Sequence, residues 1–530
     1  MTGLFGTFLL TALPAFVAPA DTAQLYDNLG QHHHAISTSV PLAQQYFDQG
    51  LRLTYAFNHA EAIRSYEEAA RLDPSCAICW WGVAYAYGPN INAPMDSAAG
   101  VAAYAALQKA LALRESASES ERAYIDALAT RYAAVPPANR AALDSAYARA
   151  MDEVATRYPD DLDAATLAAE ASMDLRPWNY WTPTGEPQPG TLELMTRLEG
   201  VIERDPNNPG ACHYYIHAVE AVAPAKAVAC AERLAGLMPG AGHIVHMPAH
   251  IYIRVGRYAD AVDANVHAVH TDETFIADGA PSGIYPGFYY PHNYHFLALV
   301  SRLAGRSATA IDAARAASSK MAIPIAAAVP EAANLLPYLH TTLLTFGRWE
   351  EVLAAPIGFA EVPLAAGQAH YARGVAFAAT GRFAEAEAEL ALVREAGAAV
   401  PDGWPKTVLQ IADHALQGEI AARRGEHDAA IGHFRAAAEL EDGLAYTEPP
   451  YWHWPVRHAL GATLLEAGRA GEAEAAYRED LERFPENGWS LFGLAAALEG
   501  QGKTEEAEAV RERLRVVWSG SDVTLTASRF

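Results

Sequence analysis

Small and aromatic residues recur along this chain at a fixed spacing, and that spacing restricts the fold more than any other feature. Gly50, Ala62, Tyr66, Ala69 and Pro74 stand at intervals of 12, 4, 3 and 5 residues. Small side chains at Gly50 and Ala62 let two antiparallel helices approach closely, while Tyr66 and Ala69 pack against the next hairpin. Pro74 ends the second helix because its ring removes an N–H and clashes with the preceding turn. Trp80 then opens a following unit. The frame returns as Gly418, Ala430, Phe434 and Ala437, as Gly461, Ala473, Tyr477 and Pro485, and as Leu498 and Ala507. Ala473 and Ala507 are 34 residues apart, whereas Ala386, Ala430 and Ala473 are separated by 44 and 43, which implies longer connections. A Gly-Arg-aromatic turn recurs at Gly256-Arg257-Tyr258, Gly347-Arg348-Trp349 and Gly381-Arg382-Phe383.

A period of 34 residues with this residue order is the tetratricopeptide pattern. It predicts an all-α superhelical solenoid of antiparallel helix pairs, and the abundance of alanine with little strand-like alternation agrees. Residues 1–20 read as a signal peptide, 21–42 as a linker, 43–200 as N-terminal hairpins, 201–330 as central hairpins, 331–518 as C-terminal repeats and 519–530 as a tail. Two aromatic, Pro/Gly-rich loops interrupt the pattern. One runs from Arg176 to Pro183 and holds Trp178, Asn179, Tyr180 and Trp181; the other runs from about Asp272 to Pro291 and holds Tyr285, Phe288, Tyr289 and Tyr290. Long loops in a compact solenoid are functional or disordered, and this aromatic content argues for the former.

Leu4 to Val17 form a short apolar run before Ala18-Pro19-Ala20, a small-x-small cleavage pattern that makes Asp21 the expected mature N-terminus. The preceding region departs from the pattern in lacking Lys and Arg. No other segment approaches the ~20 apolar residues of a membrane span, so the expectation is an exported, periplasmic or secreted protein without an integral membrane segment. The formal charge of −25 argues against a nucleic-acid partner. Four cysteines suit an oxidising compartment. Cys76 and Cys79 form C-x-x-C at a helix start, which permits redox activity or, since no βαβ pattern surrounds it, a local disulfide or two buried thiols. Cys212 and Cys230 fall on the two helices of one hairpin, where a clamp between them is expected.

Nine of the twenty histidines lie between Cys212 and His295. Setting Ala261 at the small-residue position 20 of a repeat makes Gly242 position 1, so His243, His246 and His250 fall at positions 2, 5 and 9 of a first helix. Their i, i+3, i+7 spacing puts them on one stripe. In the next unit Pro291 becomes position 1, with His292 and His295 at positions 2 and 5. In the previous unit His213, His217 and Glu220 share a face. First helices line the concave groove, so three consecutive ones offer imidazole toward one ion, expected to be a divalent transition metal: zinc, copper or iron. Without metal, clustered histidines repel one another as they protonate, and each buried ring nitrogen needs a partner. H-E-x-x-H is absent, since Met247-Pro248-Ala249 separates His246 from His250; Glu220 is the candidate base or an added ligand. Trp178, Asn179, Trp181, Tyr285, Tyr290, Asn293, Asn90 and Asn92 are the candidate pocket lining, with turn formation the competing role for Asn90 and Asn92. His267 and His270 fall on a second helix and are excluded. His32, His33 and His34 read as a solvated tail or as further ligands closing over the groove.

With these motifs in view, the chain resembles exported bacterial tetratricopeptide-repeat proteins of poorly defined function. The resemblance is carried by Tyr46-Phe47-Asp48-Gln49-Gly50-Leu51, Phe57-Asn58-His59, Gly88-Pro89-Asn90-Ile91-Asn92, Asp174-Leu175-Arg176-Pro177-Trp178-Asn179-Tyr180-Trp181, His213-Tyr214-Tyr215-Ile216-His217-Ala218-Val219-Glu220, Gly242-His243-Ile244-Val245-His246-Met247-Pro248-Ala249-His250 and Tyr290-Pro291-His292-Asn293-Tyr294-His295. It implies a repeat scaffold with an embedded site and supplies no reaction. Three functions follow from the residues: a scaffold holding a peptide, protein or small molecule in its groove; a metal-dependent enzyme, hydrolytic with zinc and oxidative with copper or iron; and a metal-free interaction scaffold. Storage or delivery of copper(I) is disfavoured by eight Met and four Cys spread over the chain.

Overall fold

In a computed structural model the described residues are 23–182, 184–278 and 283–530. They form helices joined by turns, and the only β-type pairings among them are the isolated bridges Asn90 with Ala93 and Trp181 with Pro187. The signal-peptide region lies outside the described residues. No helix among the described residues is long and apolar enough to cross a membrane.

The repeat frame is visible as packing. Tyr66 is fully buried between two glycines, and a Cβ on Gly50 would stand 2.7 Å from its ring and one on Gly82 2.4 Å. Phe434 sits against Gly418 in the same way, and Tyr477 against Gly461 and Gly493. Tyr66 and Tyr477 therefore lock their own hairpins, Pro41–Tyr55 with His59–Leu72 for example, to the next, which begins with Ala77–Ala86. Ala62, Ala430, Ala473 and Ala507 have no exposed surface, because the helix axes are too close for anything larger. The Gly-Arg-aromatic turns hold their glycines at positive φ, +78° at Gly256 and +75° at Gly381, a conformation a side chain disfavours.

Three segments differ from the sequence expectation. The helix of Tyr258–Asp278 runs through the start of the expected second loop, because Asp272 is buried and accepts hydrogen bonds from Tyr285 and Asn293; the chain becomes helical again at Tyr289. His32, His33 and His34 are neither a solvated tail nor groove ligands. His32 and His34 both bind Asp163, at 2.9 Å each, and His33 binds Asp48 at 2.8 Å, so residues 23–40 form a strap across the first repeats. The strap also reaches the central hairpins, where Gly240 N–H donates to the Asn28 carbonyl.

Residues 519–530, expected as a tail, fold back along the repeats and are anchored to them. Asp522 accepts from the N–H groups of Ser307 and Ala308 at the start of Ser307–Lys320, and Arg529 donates to Glu419 and Glu466. Arg423 donates to the Phe530 carbonyl oxygen, and the Ser528 hydroxyl is buried against Tyr477 and His458. The same half of the chain touches the centre directly, with Trp489 Nε1 donating to the Arg302 carbonyl and Tyr258 OH to that of Pro485. Cys76 and Cys79 are joined in a disulfide, as are Cys212 and Cys230, and no free thiol remains.

Candidate metal centre

Three consecutive first helices carry the histidines. Asn208 caps the first, Pro209–Val219, by accepting from Ala211 N–H at 2.8 Å, and Pro209 suits its first turn. The Cys212–Cys230 disulfide ties this helix to Val228–Leu237. The second is split into Gly242–His246 and Pro248–Arg254, because Pro248 has no N–H to continue the ladder. Its start is pinned by His243 N–H, which donates to Tyr285 OH, and Tyr285 OH in turn donates to Asp272. The third is Tyr289–Leu303.

The chamber these helices enclose is buried rather than an open groove. His213, His217, Glu220, His243, His246 and His250 are all at most 3 % exposed, and His292 alone is partly open. Phe57 and Tyr289 cover one end, and Phe296 packs edge-on to His246 at 4.7 Å. From the far repeats Tyr446 and Glu448 come close enough for their charges to act on Glu220.

Within the chamber there are two all-histidine groups, bridged by an overlapping set of His217, Glu220 and His250. His246, His250 and His292 have ring nitrogens within 4.8 Å of one another, and so do His213, His217 and His243. In the first group the outer nitrogens fix the tautomers. His246 Nδ1 faces Asn265 Oδ1 at 2.7 Å; Asn265 turns that oxygen inward because its amide donates to the Ala261 carbonyl. His250 Nδ1 faces Glu220 Oε2 at 2.5 Å. Both partners accept, so both Nδ1 atoms carry hydrogen and both Nε2 atoms turn a lone pair inward. Those Nε2 atoms are 2.8 Å apart, and His292 Nε2 is 3.2 Å from that of His246. Lone pairs at that distance repel unless a metal ion or a shared proton lies between them. Imidazoles bound to a tetrahedral ion at 2.0–2.1 Å have their nitrogens about 3.3 Å apart, which the 3.2 Å His246–His292 pair matches, while the 2.8 Å His246–His250 pair is closer than that.

Electrostatics keep the set ready for a metal. Burial first, and then the neighbouring imidazoles, hold His246 and His292 well below the ordinary histidine range. They are therefore neutral ligands near pH 7. Burial opposes the Glu220 charge, but the His250 and His217 partners overcome it and hold the carboxyl down at about 2. Glu220 binds His217 through Oε1 at 3.0 Å and His250 through Oε2, so it orients ligands instead of standing free as a base.

The remaining candidates divide clearly. Trp178 stands edge-on to His217 at 5.0 Å, and its indole N–H donates to Asn92; Asn90 and Asn92 flank Tyr289. Asn90 also makes the turn expected of it, accepting from the N–H groups of Asn92 and Ala93. Tyr285 and Asn293 act one step back, through Asp272. Trp181 donates to the Ala218 carbonyl, Tyr290 packs with Glu273 and Lys320, and Asn179 is exposed beside Gln188, so these three do not meet the histidines. His295 also stands apart: its ring is 4.1 Å from Tyr338, and it joins neither group. His267 and His270 are exposed. Missed from sequence were Asn265, Phe296 and Glu448, which carry no local motif, and the position beside the histidines taken by Phe57, whose Phe57-Asn58-His59 motif assigns it no role. Burial raises the Glu448 carboxyl to about 7, with Arg254 opposing and Glu220 adding to the rise.

No protein-family model matches the chain, and no curated protein matches it. Among solved structures it is similar to human IFIT1 bound to m7Gppp-AAAA, with 13 % identity, 83 % of this chain and 90 % of that one covered, and a TM-score of 0.35. Yeast Tom70 gives 11 %, 89 %, 90 % and 0.31, and the APC/C Cut9–Hcn1 hetero-tetramer gives 13 %, 91 %, 74 % and 0.30. At these scores the likeness concerns the outline of the fold, and nothing functional is taken from it.

Proposed function

We propose that the protein binds a divalent transition ion, zinc, copper or iron, on the Nε2 atoms of His246, His250 and His292, and offers the remaining coordination position to a small molecule or peptide. The observation that carries this reading is the pair of inward lone pairs 2.8 Å apart on His246 and His250, each fixed by an acceptor behind it. Three protein ligands with a further position free is the composition of catalytic rather than structural zinc sites. That supports the enzymatic alternative, hydrolytic with zinc and oxidative with copper or iron. The Glu448 carboxyl, at about 7, suits proton transfer near neutral pH better than Glu220, which two imidazoles already engage.

A metal-free peptide-binding scaffold has less in its favour, because residues 519–530 already engage Glu419, Glu466, Tyr477 and His458 of the far repeats. Export is part of the proposal. The two disulfides with no free thiol support it, and so does the apolar run before Ala18-Pro19-Ala20. The test is elemental analysis of protein purified without a His-tag and without chelator. At least one equivalent of zinc, copper or iron per chain is expected, and its loss in the double variant His246→Ala/His250→Ala with helix content intact. Metal-free wild-type protein that also fails to take up added zinc would overturn the reading.

A further inference from the structure

We infer that His213, His217 and His243 form a second transition-ion site beside the first, so that the chamber holds two ions per chain. The inference rests on the metal reading above and extends it.

In this second group the outer nitrogens are again fixed. His213 Nδ1 donates to the Tyr55 carbonyl at 2.6 Å, and His217 Nδ1 to Glu220 Oε1 at 3.0 Å. A carbonyl and a carboxylate only accept, so each ring turns an Nε2 lone pair inward. Neither Nε2 has a hydrogen-bond partner, and neither nitrogen of His243 has one. All three residues are at most 3 % exposed. Leaving a buried polar atom unpaired costs on the order of 1–3 kcal/mol. Three ring nitrogens, one from each residue, lie within 4.8 Å of one another on three separate turns of helix, and they need a common partner. Their neighbours accept or donate elsewhere, and a cation satisfies all three rings at once. Burial, and then the neighbouring imidazoles, keep His213 and His243 neutral, as ligands must be.

The surroundings are built for this purpose at some cost to the backbone. Among the described residues only Phe57, Trp178 and Glu486 are non-glycine residues at positive φ, and the first two both press on this group. Phe57, at φ +55°, lies 4.6 Å from the His213 ring, 5.5 Å from His243 and 6.3 Å from His217. Trp178, at φ +62°, stands 5.0 Å from His217. Strained non-glycine backbone concentrates at functional sites, and here it brings two aromatic rings over the imidazoles and excludes water. Three neutral imidazoles under an apolar cover select a borderline or soft ion, zinc(II) or copper(I), over magnesium or calcium. Glu220 joins the two groups, holding His217 of one and His250 of the other.

Zinc titration of the metal-free full chain tests the inference, with stoichiometry read by calorimetry and by elemental analysis after desalting. Two zinc ions per chain are expected for wild type. His243→Leu, which keeps volume and breaks no hydrogen bond, is expected to bind one, and His246→Ala/His250→Ala also one. A wild type binding a single ion, or His243→Leu retaining two, overturns the second site while leaving the first standing. A wild type binding none overturns both. A histidine that only fills space would leave the stoichiometry unchanged when replaced by leucine.

Discussion

Glu220 grips His250 at 2.5 Å, carboxylate oxygen to Nδ1, and thereby decides which of the ring's nitrogens faces the chamber. Replacing it with glutamine keeps the shape but puts a neutral, partly donating group against two N–H bonds. Outer partners of this kind are worth about 10–100-fold in metal affinity. Glu220→Gln is therefore expected to weaken zinc binding by that factor without changing helix content, as measured by competition with a chromophoric chelator. An unchanged affinity would mean that the carboxylate does not orient the ligands.

Bound metal should stabilise the fold, because the helices Pro209–Val219, Pro248–Arg254 and Tyr289–Leu303 bring the ligands together only when packed. With free zinc at 100 times the dissociation constant, linkage gives about 2.7 kcal/mol per site. Calorimetric melting with zinc and with excess chelator is expected to show a higher melting temperature in zinc.

The strap of residues 23–40 should loosen in alkali. Burial opposes the His34 charge, but the hydrogen bond and charge of Asp163, with Asp161 and Asp48 behind it, raise the imidazole from 6.5 to about 9. A raised pKa contributes stability in full below 6.5 and loses it as pH rises through about 9. Asp163 moves the other way. Its burial is outweighed by His32 and His34, its carboxyl is depressed far below the usual range, and its contribution persists until strong acid. Hydrogen exchange of the strap, corrected for intrinsic rates, is expected to rise between pH 7 and 10 in wild type. In Asp163→Asn that rise should flatten.

Gly493→Ala tests the repeat packing. Its Cβ would stand 2.1 Å from Cζ of the fully buried Tyr477, and that ring is already held by Gly461 and by Ser528. Overpacking of this kind costs about 1–3 kcal/mol, read as a lower melting temperature by circular dichroism. Gly468→Ala does not probe packing, since Gly468 has open space around its Cβ position and a φ of +73° that would strain alanine for a different reason.

The solenoid was legible because its determinants are local. Tyr66, Phe434 and Tyr477 meet glycines of their own hairpin and, for Tyr66 and Tyr477, of the next, so spacing alone implies the contact. The histidine helices were legible for the same reason. The division into two groups was not, because it depends on how successive hairpins rotate and on Phe57, more than 150 residues before His213 in sequence. His295 shows the limit of the face argument. It lies three residues from His292, about 60° around the helix, and the neighbouring helix Tyr338–Thr345 supplies the ring that takes it up. The paths of residues 23–40 and 519–530 were not legible at all, since neither follows the repeat and both depend on partners far away in sequence, such as Asp163 for His34 and Ser307 for Asp522.

Repeat solenoids are ordinarily divisible, each hairpin depending on its neighbours alone. The path of residues 519–530 removes that freedom here. Asp522 completes the first turn of a helix more than 200 residues earlier, and Arg529 joins two hairpins. Hairpins cannot be added to or removed from the far half without moving the anchor of Ser307–Lys320, and that helix packs directly on the one carrying His292. The length of the superhelix and the shape of the histidine chamber are a single quantity in this chain, and repeat number is not free to vary as it is in open arrays.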